Sequence, residues 1–175
     1  MKPLTNINTP NMLTLFRLFL IPIFILVFFS SVPDSLFISI CIFLLAGFTD
    51  ILDGYIARRF NLVTKWGMVL DPLADKLMLL TVLTCLSIKG YVPFFISIIV
   101  ILKELFMIIS GMFLYKKDTV IPSNIFGKLS TVIFYLSIFC IYFYRDLGEI
   151  LLGVAVISAF IALINYLVIY NRGKA

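Results

Sequence analysis

Six long apolar runs dominate the sequence, at approximately Leu13–Phe29, Leu36–Arg58, Met68–Ile88, Phe94–Tyr115, Lys128–Tyr144 and Ile150–Tyr170. A helix needs roughly 20 apolar residues, within a range of about 17–25, to cross the hydrocarbon of a bilayer, and each run meets that length. The runs are continuous and do not alternate in polarity, so they predict helices and argue against a closed membrane barrel, whose strands alternate lipid-facing and lumen-facing residues. Turn chemistry separates them at Val32-Pro33-Asp34, Lys89-Gly90-Tyr91 and Arg145-Asp146-Leu147-Gly148. The expected fold is all-α: a polytopic membrane protein with six transmembrane helices in one bundle. Residues 1–175 are expected to form a single domain, with 1–12 as a cytoplasmic N-terminal segment.

Composition points the same way. The chain is 62% hydrophobic and 13% charged, with a mean hydropathy of +1.15, against the roughly 45–50% apolar residues of a soluble domain. Pro22 interrupts the first run and no small-residue cleavage pattern follows it, so the run is expected to be a retained helix and not a secretory signal. Cys41, Cys85 and Cys140 lie in apolar runs at no metal-ligand spacing and are read as packed thiols.

Lysine and arginine positions predict orientation, because cytoplasmic loops carry their excess. With the first helix starting inside, Lys2, Arg58, Arg59, Lys65, Lys116, Lys117, Lys128, Arg172 and Lys174 fall on or near one side. Lys89 and Arg145 fall on the other, beside Asp34, Asp146 and Glu149. Both termini are therefore expected in the cytoplasm. The net charge of +5 belongs to a membrane face that attracts anionic headgroups or phosphorylated substrates, and gives no reason to invoke nucleic acid.

The anomaly is acidic. Of nine Asp and Glu residues, four are Asp50, Asp53, Asp71 and Asp75, clustered at the facing ends of the second and third runs. A charge at mid-helix in a membrane costs about 2.5–3.5 kcal/mol on insertion scales and marks a functional site by default. At ~100° per residue, Asp50 and Asp53 are about 60° apart on one helix face, and Asp71 and Asp75 about 40° apart on the next. An antiparallel pair of helices is expected to aim both sets into one cleft. Paired hard oxygens suit Mg²⁺ or Mn²⁺; zinc would favour His or Cys, and the chain contains no His. Gly54 and Ala57 continue the Asp50/Asp53 stripe and Gly67 precedes Asp71 by one turn, leaving room for a ligand. Two other readings remain open from the residues alone. One is a structural ion-pair network with Arg58, Arg59, Lys65 and Lys76; the other is an ion pathway, with Glu104 as a further acid at depth.

From Asp50 to Asp75 the pattern is Asp-x2-Asp-Gly-x2-Ala-Arg-x8-Gly-x3-Asp-x3-Asp, which resembles the signature of the CDP-alcohol phosphotransferase family at every fixed position. The resemblance implies a six-helix, usually dimeric bundle with a two-ion site open to the cytoplasm and CDP-diacylglycerol as phosphatidyl donor. Carried over by position, Asp50, Asp53 and Asp71 are implied metal ligands, while Asp75 is implied as general base and further ligand. Gly54, Ala57, Arg58 and Gly67, with Asp53, are implied to shape the CDP pocket. The implied reaction is displacement at the β-phosphorus with release of CMP.

The opening Asn8-Thr9-Pro10-Asn11-Met12-Leu13-Thr14-Leu15-Phe16-Arg17 resembles that of phosphatidylglycerophosphate synthases and of CDP-dependent cardiolipin synthases. Asn11, Thr14 and Arg17 share a helical stripe that suits contact with the nucleotide, although an N-cap and an interfacial anchor account for them equally well singly. Lys103, beside Glu104, and Lys128 resemble acceptor-phosphate positions of phosphatidylglycerophosphate synthases, with Arg59, Lys65 and Lys76 as further candidate cations. Consecutive residues point in different directions on a helix, which argues against a simple Lys103/Glu104 pair. Gly111 stands where those synthases commonly carry another Arg. A site poorer in positive charge suits the singly charged phosphatidylglycerol, which is therefore the second expected acceptor; glycerol 3-phosphate, implied by the resemblance, stays the first.

Overall fold

The computed structural model describes residues 9–60, 67–115 and 125–172. Within them, the side chains of 9–11, 58, 68, 69, 72, 106–115, 125–128 and 166–172 lie outside the description. Among the described residues the regular structure is helical, with no strand. The order is α1 (Thr9–Phe28), α2 (Ser35–Arg59), α3 (Gly67–Ile88), α4 (Phe94–Tyr115), α5 (Ile125–Phe143) and α6 (Arg145–Arg172). Each corresponds to one apolar run. Two of the expected turns have visible backbone reasons: Asp34 takes a left-handed conformation (φ 57°) ahead of α2, and Gly90 does so (φ 73°) between α3 and α4. Asp tolerates that region through local hydrogen bonding and Gly through its missing Cβ.

The third expected turn is corrected. Arg145-Asp146-Leu147-Gly148 forms the first turn of α6, and Tyr144 alone separates α5 from α6. Bonds from the Tyr144 N–H to the Cys140 carbonyl (2.8 Å) and from the Gly148 N–H to the Tyr144 carbonyl (3.0 Å) carry the chain through the junction. A Cβ on Gly148 would stand 2.5 Å from Ile141 Cγ1 and 2.7 Å from the Ile141 nitrogen, so glycine here is what lets the two helix ends meet. Asp146 in the first turn suits the positive end of the helix dipole. Arg145 Nε donates to Glu149 one turn on at 3.0 Å and Arg145 Nη2 to the Gly90 carbonyl at 2.5 Å.

The chain divides into two compact units, residues 1–86 and 87–175. In the first, α1 and α2 pack against each other. The buried stripe of α1 runs Thr14, Arg17, Leu20, Phe24 and Phe28, and that of α2 runs Ser39/Ile40, Phe43, Ala46 and Asp53, both at helical spacing. Phe24 and Phe28 stack at 5.5 Å. One end of each stripe is thus apolar and the other polar. In the second unit α6 packs on α5 and on α4; Ser130 Oγ donates to the Ala155 carbonyl at 3.0 Å, and the buried hydroxyls of Ser87 and Ser97 bond at 2.5 Å.

Segments Ser35–Ala57 and Arg145–Asn165 are long and apolar enough to cross a membrane, and Met12–Phe28 and Leu129–Phe143 are shorter apolar helices. The outer faces are apolar as well: Phe19 is 70% exposed, Leu26 73% and Ile51 69%. Large exposed apolar surface of this kind marks a face made for lipid or protein and not for water.

Candidate active site

The polar end of the α1/α2 seam is built around one residue, Arg17. Its side chain is 1% exposed, with Nη1 2.8 Å from Asp50 Oδ1 and Nη2 2.6 Å from Asp53 Oδ2. Helical spacing explains the double grip: Asp50 and Asp53 are three residues apart on α2 and so share a face toward α1. Arg17 Nη1 also donates a long bond, 3.4 Å, to the backbone carbonyl of Asp71 on α3. Thr14, one turn before Arg17 and buried, donates its hydroxyl to Asp71 Oδ1. Two neighbouring residues on the α1 stripe therefore tie α2 and α3 together at three of the four aspartates.

The sequence reading expected those aspartates in one place with divalent ions as their counter-charge, and named Arg58, Arg59, Lys65 and Lys76 for the alternative of a structural ion-pair network. Arg17 is the residue it missed in that role. An arginine inside an apolar run keeps its charge and so calls for an acidic partner, but its place on α1 does not say which helix supplies that partner. Arg59 instead folds onto its own helix. Its Nη1 donates to the Tyr55 hydroxyl and its guanidinium lies 5.7 Å from the Tyr55 ring centre, with both residues exposed.

Burial grades the acids. Asp53 is 2% exposed and Asp50 38%, so Asp50 is the more accessible of the α2 pair. Asp71 and Asp75 are half-buried, as are Gly54, Ala57 and Lys76, and Gly67 is buried. Thr49, also buried, returns its hydroxyl to the Ala46 carbonyl at 2.8 Å, which satisfies it within α2. Lys65 lies outside the described residues, and Asn11, Arg58 and Lys128 lie on described helices while their side chains do not belong to the description.

In the second unit Lys103 and Glu104 are 10% and 7% exposed, with Nζ 2.5 Å from Oε1. The expectation that consecutive residues would diverge is corrected: a long lysine stem spans the angle, because two buried charges have no water to turn to.

The donor set suits a divalent cation in chemistry. The available ligands are oxygen only: Arg17 pairs with the carboxylates of Asp50 and Asp53, and Thr14 donates to that of Asp71. In geometry, among the described residues no three of His, Cys, Asp and Glu converge closely enough to hold an ion. Arg17 occupies one oxygen each of Asp50 and Asp53, and Thr14 one of Asp71.

Comparison with known proteins follows the same residues. The family model for CDP-alcohol phosphatidyltransferase matches residues 7–164. A protein of Wigglesworthia glossinidia brevipalpis named CDP-diacylglycerol--glycerol-3-phosphate 3-phosphatidyltransferase is 36% identical over 95% of this chain and 97% of its own length. One of the same name from Bacillus subtilis (strain 168) is 36% identical over 71% of this chain and 70% of its own. A Schizosaccharomyces pombe protein named cardiolipin synthase (CMP-forming) / mitochondrial hydrolase fusion protein is 37% identical over 68% of this chain and 20% of its own length. Since the family match begins ahead of α1, passes through all four aspartates and ends within α6, the chain belongs to the CDP-alcohol phosphatidyltransferase family.

Proposed function

We propose that this chain is an integral membrane enzyme that transfers the phosphatidyl group of CDP-diacylglycerol to sn-glycerol 3-phosphate, giving phosphatidylglycerophosphate and CMP. The observation that carries the reading is the near full-length similarity to relatives whose name states that reaction. It is supported by the carboxylates that Arg17 and Thr14 gather from α2 and α3.

In this reading Asp50, Asp53, Asp71 and Asp75 would hold two Mg²⁺ or Mn²⁺ ions, which would supply charge neutralisation for the diphosphate and the departing CMP. Asp53, Gly54, Ala57, Arg58 and Gly67, with Asn11 and Thr14, form the CDP pocket, the small residues leaving space for the nucleotide. Asp75 accepts the proton of the attacking hydroxyl. The new bond forms between that oxygen and the β-phosphorus, and the bond from the β-phosphorus to the bridging oxygen breaks, so that CMP leaves with the electron pair. The acceptor's phosphate is assigned to Lys103 and Lys128, with Arg59, Lys65 and Lys76 as further cations. The whole chain acts as one catalytic domain of six membrane-crossing helices, works as a homodimer, and keeps its active site and both termini on the cytoplasmic side.

Phosphatidylglycerol as acceptor is the second reading, favoured by Gly111 and by the printed name of the Schizosaccharomyces pombe relative. Purified protein supplied with CDP-diacylglycerol and Mg²⁺ or Mn²⁺ should release CMP when glycerol 3-phosphate is added. Release only with phosphatidylglycerol selects the second reading, and release with neither refutes both.

A further inference from the structure

We infer that the aspartates at this end of the α1/α2 seam are arranged as an arginine site and not as a cation site, so that Arg17 and a divalent ion are alternative partners for the same carboxylates. The inference rests on the reading of Asp50, Asp53, Asp71 and Asp75 as cation ligands and states what that reading requires: an ion gains Asp50 and Asp53 only when the guanidinium releases them.

Three observations carry it. First, the acids do not fit an ion as they stand. Among the described residues no three of them converge closely enough to hold one, although Asp50 and Asp53 share a helix face and Thr14 ties Asp71 to α1. What joins Asp50 and Asp53 is Arg17, with Nη1 2.8 Å from Asp50 Oδ1 and Nη2 2.6 Å from Asp53 Oδ2. A guanidinium keeps its own width between the groups it holds, whereas Mg²⁺ draws oxygens to about 2.0–2.1 Å from a single centre.

Second, the seat is incomplete for an arginine. Arg17 Nε is buried with no hydrogen-bond partner among the described residues, and the bond from Nη1 to the Asp71 carbonyl is long, at 3.4 Å. Buried donors without acceptors are rare and costly, so this seat holds Arg17 less firmly than its two ion pairs alone suggest. Third, the cluster has an accessible side. Arg17 and Asp53 are 1% and 2% exposed but Asp50 is 38% exposed. An arriving cation meets Asp50 first, and taking Asp50 from Nη1 undoes half of the fork.

The test uses the full chain in detergent with Mn²⁺ alone as probe, free Mn²⁺ being read by electron paramagnetic resonance and unfolding temperature followed in parallel. Arg17→Gln removes the competitor and is expected to bind Mn²⁺ about 10–100-fold more tightly than the parent protein, the scale on which groups sharing one network couple. It should unfold at lower temperature than the parent without Mn²⁺ and gain more from added Mn²⁺ than the parent does. Arg17→Lys, a single point charge in place of the fork, is expected to bind more tightly than the parent by a smaller factor, and it decides the matter if Arg17→Gln fails to fold. A folded Arg17 variant that binds Mn²⁺ as the parent does, or more weakly, overturns the inference. Asp50→Asn tells that failure from failure of the ligand reading: weaker binding by Asp50→Asn keeps the reading whatever the Arg17 variants do, whereas equal binding by Asp50→Asn and the parent removes Asp50 from the ligands and overturns the competition with it.

Discussion

Replacing one partner of the Lys103/Glu104 pair should damage the protein far more than replacing both. The two side chains are 10% and 7% exposed and meet at 2.5 Å, so solvent screens them little. Removing one member takes from the other the opposite charge it meets at 2.5 Å, and breaking a buried pair in this way loses about 3–5 kcal/mol, whereas replacing both with apolar residues of similar volume is often close to neutral. Lys103→Met and Glu104→Met are therefore each expected to lose about 3–5 kcal/mol and the double variant much less than the sum. For a chain of this size 1 kcal/mol corresponds to about 2–4 °C, so each single variant should unfold about 6–20 °C lower in a detergent thermal melt. Kinetics on the same proteins test function: Lys103→Met should raise the KM for glycerol 3-phosphate and spare that for CDP-diacylglycerol. If the double variant is destabilised by the full sum of the singles, the two charges are not each other's partner and the reasoning is wrong.

Three other outcomes are expected. Asp75→Asn should bind metal and CDP much as before while turnover falls by roughly 10²–10⁴, the usual scale of general acid-base help; full turnover would remove it as the base. Asp71→Asn should shift the activity-against-metal titration to higher concentration, and an unchanged curve would take Asp71 off the ligand set. Gly148→Ala brings a Cβ to 2.5 Å from Ile141, whereas Gly153→Ala meets nothing within 4 Å. Helix propensity contributes alike to both, so Gly148→Ala should be less stable than Gly153→Ala by about 1–3 kcal/mol from overpacking, and equal melting temperatures would refute that clash.

The site was legible where it depended on local spacing. Asp50 with Asp53, and Asp71 with Asp75, share helix faces whatever the rest of the chain does, because the turn of a helix is a local property. The role of Arg17 was harder to read. Its partners stand on other helices, and the stripe it shares with Thr14 indicates a common face without naming what that face meets. The Lys103/Glu104 pair was misjudged for a related reason, since backbone direction at consecutive residues does not limit a flexible four-carbon stem in a setting without water.

What the amino-acid order determined by itself is the set of six helices, because long apolar runs have to satisfy their backbone hydrogen bonds internally, and short polar turns with Pro, Gly and Asp interrupt them. It also determined the four-aspartate pattern that ties the chain to its family. Only the tertiary structure decided that Thr14 and Arg17 of α1 would bind Asp50, Asp53 and Asp71 across three helices, and that Gly148 would let α5 and α6 meet at a single residue. The contacts of Thr14 and Arg17 join residues far apart in the chain. They form because buried charges and close-packed backbones accept only partners that the packing of whole helices brings within reach.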